Sequence, residues 1–331
     1  MAKIMTALLK YDYGIKERGD SLEKTAFLPA LQQVSKDVLP FWLEDNGYWE
    51  DKQKLQNNII EFAAETKPDI IFFILMRDEV TKKTIKYLSE KYTTVNWFCD
   101  DQWRFESFTR SIAPLLTYSI TTDRFSLLKY HNLGIKNVIP SQWAASDYVG
   151  NIDFDRIEYK YDVSFAGGKN TTRTWIIDYL NKRGYNVKCF GSGWNDGRVS
   201  YEEIKDIFLR SKINLNLSNS VQSDFRYLLF SWRNIRSYLF GQKRIEQIKA
   251  RNFEIPCYGG FQLTNYAPGL EDYYTIGKDI AIYTSLEELS MQIEYYLNNE
   301  QERKAVCLSG YKRSKDYTYE KRIKKVFEEI K

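Results

Sequence analysis

The feature that most constrains this chain is a double series of short apolar runs, each followed by a polar stretch of helical period. In the first half, apolar runs occupy residues 4–11, 69–76, 94–99, 115–121 and 137–140. Helical patterns fill residues 21–39, 48–65, 81–91 and 123–133, the last stopped by Gly134. Strand–helix alternation of this kind predicts parallel βαβ units. Their functional loops lie at the carboxyl ends of the strands.

The rhythm breaks at residues 147–161, a polar stretch that reads as a linker, and then resumes. A strand at 161–166 runs into Gly167-Gly168-Lys169-Asn170, followed by a helix at 172–183. Further strands are expected at 186–190, 213–217, 261–264 and 280–283. Helices are expected at 201–210, 286–298, 301–309 and 319–329, with a short helical turn near 251–254. The chain therefore reads as α/β, with two Rossmann-like domains at residues 1–150 and 151–312. A terminal segment, 313–331, is expected to pack back on the first domain.

Composition narrows the chemistry. The single histidine, His131, removes schemes that need two histidines, His-rich metal sites among them. Its place within a helical pattern favours a structural role. Cys99, Cys189, Cys257 and Cys307 are widely spaced and suggest neither a zinc site nor a disulfide framework. The 48 Lys and Arg against 44 Asp and Glu give +4, too mild and mixed for an obligate nucleic-acid binder. The longest apolar run, residues 70–76, is far short of a membrane span, and the N-terminus lacks a signal-peptide layout. A cytoplasmic protein is expected.

Two loops carry candidate chemistry. Gly167 and Gly168 let the backbone turn tightly at a strand end, and the next helix would aim its amides at a ligand. Lys169 and Arg173 add positive charge, so the segment reads as a phosphate or diphosphate cradle, or as an ordinary tight βα turn. Further on, Glu246 and Glu254 stand eight residues apart. Two other such pairs occur in the terminal helices, so spacing alone says little. The text around this pair says more: a short helical turn, Gly259-Gly260, then an apolar strand.

Lys249-Ala-Arg-Asn-Phe-Glu-Ile-Pro-Cys-Tyr-Gly-Gly-Phe-Gln-Leu-Thr264 resembles the donor-site signature of the CgeB-like glycosyltransferases, which have the GT-B fold. Tyr283-Thr-Ser-Leu-Glu-Glu-Leu289, Tyr317-Thr-Tyr-Glu-Lys-Arg322, the 161–173 loop and the strand Ser211-Lys-Ile-Asn-Leu-Asn-Leu-Ser218 fit the same pattern. The resemblance covers most of residues 161–331 and is weaker before them. It implies two domains facing a cleft and a nucleotide sugar bound by the second. Glu254 would take the ribose hydroxyls, and Arg173, Lys249 and Arg251 the diphosphate. Gly259 and Gly260 belong to the same donor signature. It further implies transfer without a metal or other cofactor, retention of configuration, and a glycan or lipid-linked acceptor of the bacterial envelope. The chain departs from the pattern at Glu246. The first Glu of such pairs normally precedes a Gly-Phe-Gly loop, whereas this one reads as part of a helical, basic stretch.

The first domain should then hold the acceptor, at the loop after its first strand (Tyr11, Tyr13, Gly14) and after a later strand (Asp100, Asp101, Trp103). Asp101 is the candidate general base; helix capping is the structural alternative for both aspartates. Residues 221–251 hold seven basic and two acidic side chains, and Arg226 to Phe240 mixes arginines with large apolar residues. That segment reads either as a helix burying its apolar face between the domains or as a peripheral contact with the inner membrane surface. Functions other than transfer that fit the same text are non-catalytic nucleotide-sugar binding and epimerisation; nucleic-acid binding lacks a motif.

Overall fold

The computed structural model describes residues 2–330. The chain divides into two compact units: the residues up to Ser146 together with those from Tyr319 onward, and Asp147–Thr318. Each is a parallel sheet flanked by helices.

The first unit carries β1 (Ile4–Leu8), β2 (Val38–Trp42), β3 (Ile70–Phe73), β4 (Thr93–Phe98), β5 (Tyr118–Thr121) and β6 (Val138–Pro140). Their order is β2-β1-β3-β4-β5-β6, all neighbours parallel. Side chains alternate between two buried faces, as a doubly covered sheet requires. Met5 and Ala7 pack with Leu55, Ile59 and Ile85 on one side. Ile4 and Leu8 pack with Phe27, Leu31, Tyr319 and Ile323 on the other. The last helix, Tyr319–Glu329, thus completes the first unit. Its Tyr319 ring lies 4.5 Å from that of Phe27, and its Tyr319 N–H donates to the Ala145 carbonyl at 2.9 Å.

One strand was not expected. β2 lies in what reads as the end of a helix, because Pro40 resembles a helix terminator. Its partner is β1 alone, and proline is tolerated on such an edge.

The second unit carries β7 (Tyr161–Ala166), β8 (Val187–Phe190), β9 (Ser211–Asn216), β10 (Gln262–Asn265) and β11 (Ala281–Tyr283), in the order β11-β10-β9-β7-β8, again all parallel. One face is apolar: Val163, Phe165, Ile213 and Leu263 against Trp175, Ile176, Leu180, Leu289 and Ile293. The expected linker is instead packed onto this unit. Tyr148 stacks on Tyr311 at 4.7 Å, Phe154 meets the same ring, and Val149 N–H donates to Cys257 O.

In both sheets the first strand sits between the second and third. The connections therefore leave in opposite directions at β1/β3 and at β7/β9, and ligands bind such sheets outside the strand ends at those switch points.

Candidate functional site

At the β7/β9 switch point of the second unit, three cations and two carboxylates converge. β7 ends at Ala166, whose carbonyl accepts from Arg251 Nε at 3.2 Å. β9 leads to Leu217, whose carbonyl accepts from Lys249 Nζ at 3.2 Å; the same ammonium reaches Asn265 Oδ1, at the end of β10, at 3.3 Å. Arg173 comes from the first turn of helix Thr171–Lys182, where the Asn170 side chain caps its N–H at 2.9 Å. Its guanidinium donates to Gly168 O at 2.7 Å and lies 5.1 Å from the Phe165 ring.

These cations disturb one another. Burial, with repulsion from Arg173 and Lys243, lowers the Lys249 ammonium to about 7 against the opposing pull of Glu246. Burial and the nearby Arg251 lower Arg173 to about 10. Arg173 Nε and Asn216 Nδ2 are buried donors with no protein acceptor among the described residues. Closely placed, partly desolvated cations with donors left over are the arrangement that suits an anion.

Glu246 lies beside the cluster on an irregular loop, not the expected helix. Its carboxylate accepts from Asn265 Nδ2 at 2.9 Å, from Gln222 Nε2 at 3.3 Å and from Ser218 Oγ. With Ser218, Asn265, Tyr283, Trp175 and Leu286 it lines a cavity of about 380 Å³. Gln222 and Asn265 carry no motif of their own. Only their place after β9 and β10 marks them, as strand ends at a switch point.

Several expectations are corrected here. Glu254 is an ion-pair partner of Arg251 and its side chain is only 3% exposed, so it holds Arg251 rather than presenting a carboxylate outward. Gly259 and Gly260 sit at the far end of helix Arg251–Cys257. Gly260 N–H donates to Ile255 O and Gly259 N–H to Pro256 O, a Schellman stop with Gly259 at φ 75°. They turn the chain into β10. The backbone cradle is also largely spent. Gly167 N–H donates to Phe190 O and Lys169 N–H to Ser192 O, both at 2.8 Å, while the exposed Lys169 ammonium lies 5.0 Å from the Trp194 ring.

In the first unit, Asp101 is fully buried and its carboxylate accepts from Thr109, Thr121 and Tyr130 hydroxyls at 2.6, 2.6 and 2.7 Å. Fully buried behind that shell, the carboxylate has no exposed face from which to take a proton. The aspartate instead ties helix Asp101–Arg104 to β5 and to helix Leu127–Asn132. Asp100 and Trp103, half-buried, stand at the carboxyl end of β4. The loop after β1 folds on itself through the Tyr11–Asp20 bridge. Tyr13 is half-exposed there, and burial followed by the charges of Asp12 and Asp100 raises its phenol. Gly14, at φ 73°, gives its carbonyl to Trp49 Nε1 at 2.7 Å, and a Cβ there would meet the Tyr48 ring at 2.9 Å. It shapes the loop. Glu23, which carries no sequence signal, follows this loop, and burial, with the Asp12 charge adding to it, raises its carboxyl to about 7. His131 is exposed. Among the described residues no three His, Cys, Asp or Glu side chains come together as metal ligands, and no helix is long and apolar enough to cross a membrane.

The fold is shared with several solved structures. The sucrose-phosphate synthase of Thermosynechococcus elongatus superposes with TM-score 0.67 at 7% identity, over 100% of this chain and 99% of that one. HepE of Anabaena, solved with UDP-glucose, superposes with TM-score 0.62 at 12% identity, covering 99% of each chain. A putative UDP-N-acetylglucosamine 2-epimerase of Listeria monocytogenes also superposes, with TM-score 0.54 at 9% identity, over 100% of this chain and 98% of that one. No curated protein matches by sequence. Residues 173–328, which hold the cation cluster and Glu246, match the sequence profile of a family described as glycosyl transferase-like.

Proposed function

We propose that this chain is a glycosyltransferase that binds a nucleotide sugar in its second unit and transfers the sugar to a glycan or lipid-linked acceptor. The observation that carries the reading is the convergence of Arg173, Lys249 and Arg251 at the β7/β9 switch point, beside the Glu246 cavity. A nucleoside diphosphate leaves with growing negative charge, and preorganised cations stabilise that charge most where water is excluded. Three protein cations supply this without a metal. The diphosphate faces Arg173, Lys249 and Arg251, with Glu254 fixing the last of them. The sugar enters the cavity, where Glu246 and Asn265 hold its hydroxyls. Transfer with retention fits a Glu246 carboxylate on the sugar rather than a base on the acceptor, and Asp101 supplies no such base.

The matched family profile and the fold of the solved relatives support this reading. Its test is a thermal-shift screen against UDP, GDP, dTDP and CMP sugars, followed by donor turnover with and without glycan acceptors. A ligand at tens of times its Kd raises stability by about 2 kcal/mol. Donor stabilisation without release of nucleoside diphosphate in any acceptor mixture would leave a binding protein, and no stabilisation by any donor would defeat the proposal.

A further inference from the structure

Helices Phe225–Phe230 and Trp232–Phe240 are built with their apolar side outward. In the longer one Asn234 is buried, while Trp232, Ile235 and Leu239, on one helical stripe, are 66%, 46% and 60% exposed. Arg233, Arg236 and Phe240 form the adjoining stripe, also exposed. Phe225 and Leu229, one turn apart on the shorter helix, extend the apolar surface. Of the seventeen exposed large apolar side chains among the described residues, eight fall between Phe225 and Ile245. Scattered apolar side chains need no explanation, whereas a concentration like this marks a contact surface.

Charge identifies the contact. Residues 225–245 contain five basic side chains and no acidic one. Arg226 is spent on Asp224 and Glu287, which leaves the outward arginines beside the apolar stripe. Two copies of such a surface would repel one another across a symmetric interface. Leu229, Ile235 and Leu239 interrupt the exposed rings of Phe225, Trp232 and Phe240, so no run of rings is offered for successive nucleic-acid bases. An apolar stripe flanked by arginines, with a tryptophan at its edge, instead suits the headgroup layer of an anionic bilayer.

We infer that residues 225–240 form a docking surface for an anionic phospholipid membrane, apolar side chains entering the headgroup region and Arg233 and Arg236 meeting lipid phosphates. None of Trp232, Arg233, Arg236, Leu239 and Phe240 belongs to the cation cluster or lines the Glu246 cavity, so membrane binding and donor binding can fail independently. The test is flotation of the full chain with vesicles of phosphatidylcholine alone or with roughly one third phosphatidylglycerol, at low and high salt. The chain should float with the anionic vesicles only, and salt should release it. Arg233→Glu with Arg236→Glu, and separately Leu239→Ser with Phe240→Ser, should each weaken binding roughly thirtyfold. All four positions are exposed, so melting temperature should not move. Failure of the native chain to float, or equal binding to neutral vesicles unmoved by the arginine variant, would overturn the inference. So would a dimer dissolved by Leu239→Ser with Phe240→Ser, or oligonucleotide binding lost in the arginine variant.

Discussion

The Lys249 ammonium donates to the Asn265 side-chain oxygen at 3.3 Å, and the amide of the same asparagine donates to Glu246 at 2.9 Å. Asn265 thereby holds a cation and an anion apart on either side of one short side chain. Across that bridge the Glu246 charge still favours the Lys249 ammonium, against the burial that lowers it.

The first prediction concerns pH. With Lys249 lowered to about 7, its ammonium is largely deprotonated at pH 8. A bound diphosphate favours the charged form, so binding takes up a proton above pH 7. Nucleoside diphosphate affinity should fall between pH 7 and 9, by up to about tenfold per unit. Calorimetry in buffers of different ionisation enthalpy reads the uptake directly, and pH-independent affinity without uptake contradicts it.

Glu246 lines the cavity, with Asn265 between it and Lys249, so its contribution belongs to the sugar. Glu246→Gln should cut turnover about a hundredfold while the affinity for the nucleoside diphosphate alone changes less than about threefold. Equal losses in both would move Glu246 to the diphosphate.

Asp101 separates structural from catalytic roles. Asp101→Asn weakens three hydroxyl contacts and should cost about 2 kcal/mol of stability, with kcat little changed in the folded protein. A fall of kcat by about a hundredfold at unchanged melting temperature would restore it as a base.

Glu23 should show its burial as a pH effect on folding. Its carboxyl, raised to about 7, costs nothing below the unfolded carboxylate value. The cost grows as pH rises and is complete above 7. Glu23→Gln should therefore stabilise the chain by up to about 2 kcal/mol at pH 8 and hardly at all near pH 4.5. Denaturant titrations at both pH values check this; a gain independent of pH would show that the carboxyl is not desolvated.

The two series of strands and helices were legible because apolar runs of strand length are hard to mistake when capped helices separate them. Strand β7 and helices Leu286–Asn298 and Tyr319–Glu329 fall where the pattern puts them. β2 escaped because Pro40 breaks a helix and an edge strand tolerates it equally. Arg173, Lys249 and Arg251 could be named from the text around them, yet their mutual burial arises only when β7, β9 and β10 end side by side. Glu254 and the Gly259-Gly260 pair sit in the motif for reasons of packing that no spacing reveals. The 3.6-residue period of Trp232–Phe240 is visible in sequence, but the side facing outward is set by buried Asn234 and the helices beneath it.

The most direct measurement is calorimetric titration of nucleoside diphosphates into the native chain and Lys249→Met. One nucleoside diphosphate should bind the native chain, and the variant should bind it at least roughly thirtyfold more weakly at pH 7, with its melting temperature unchanged or raised. Equal affinity in the two proteins would contradict a diphosphate held by the Arg173, Lys249 and Arg251 cluster.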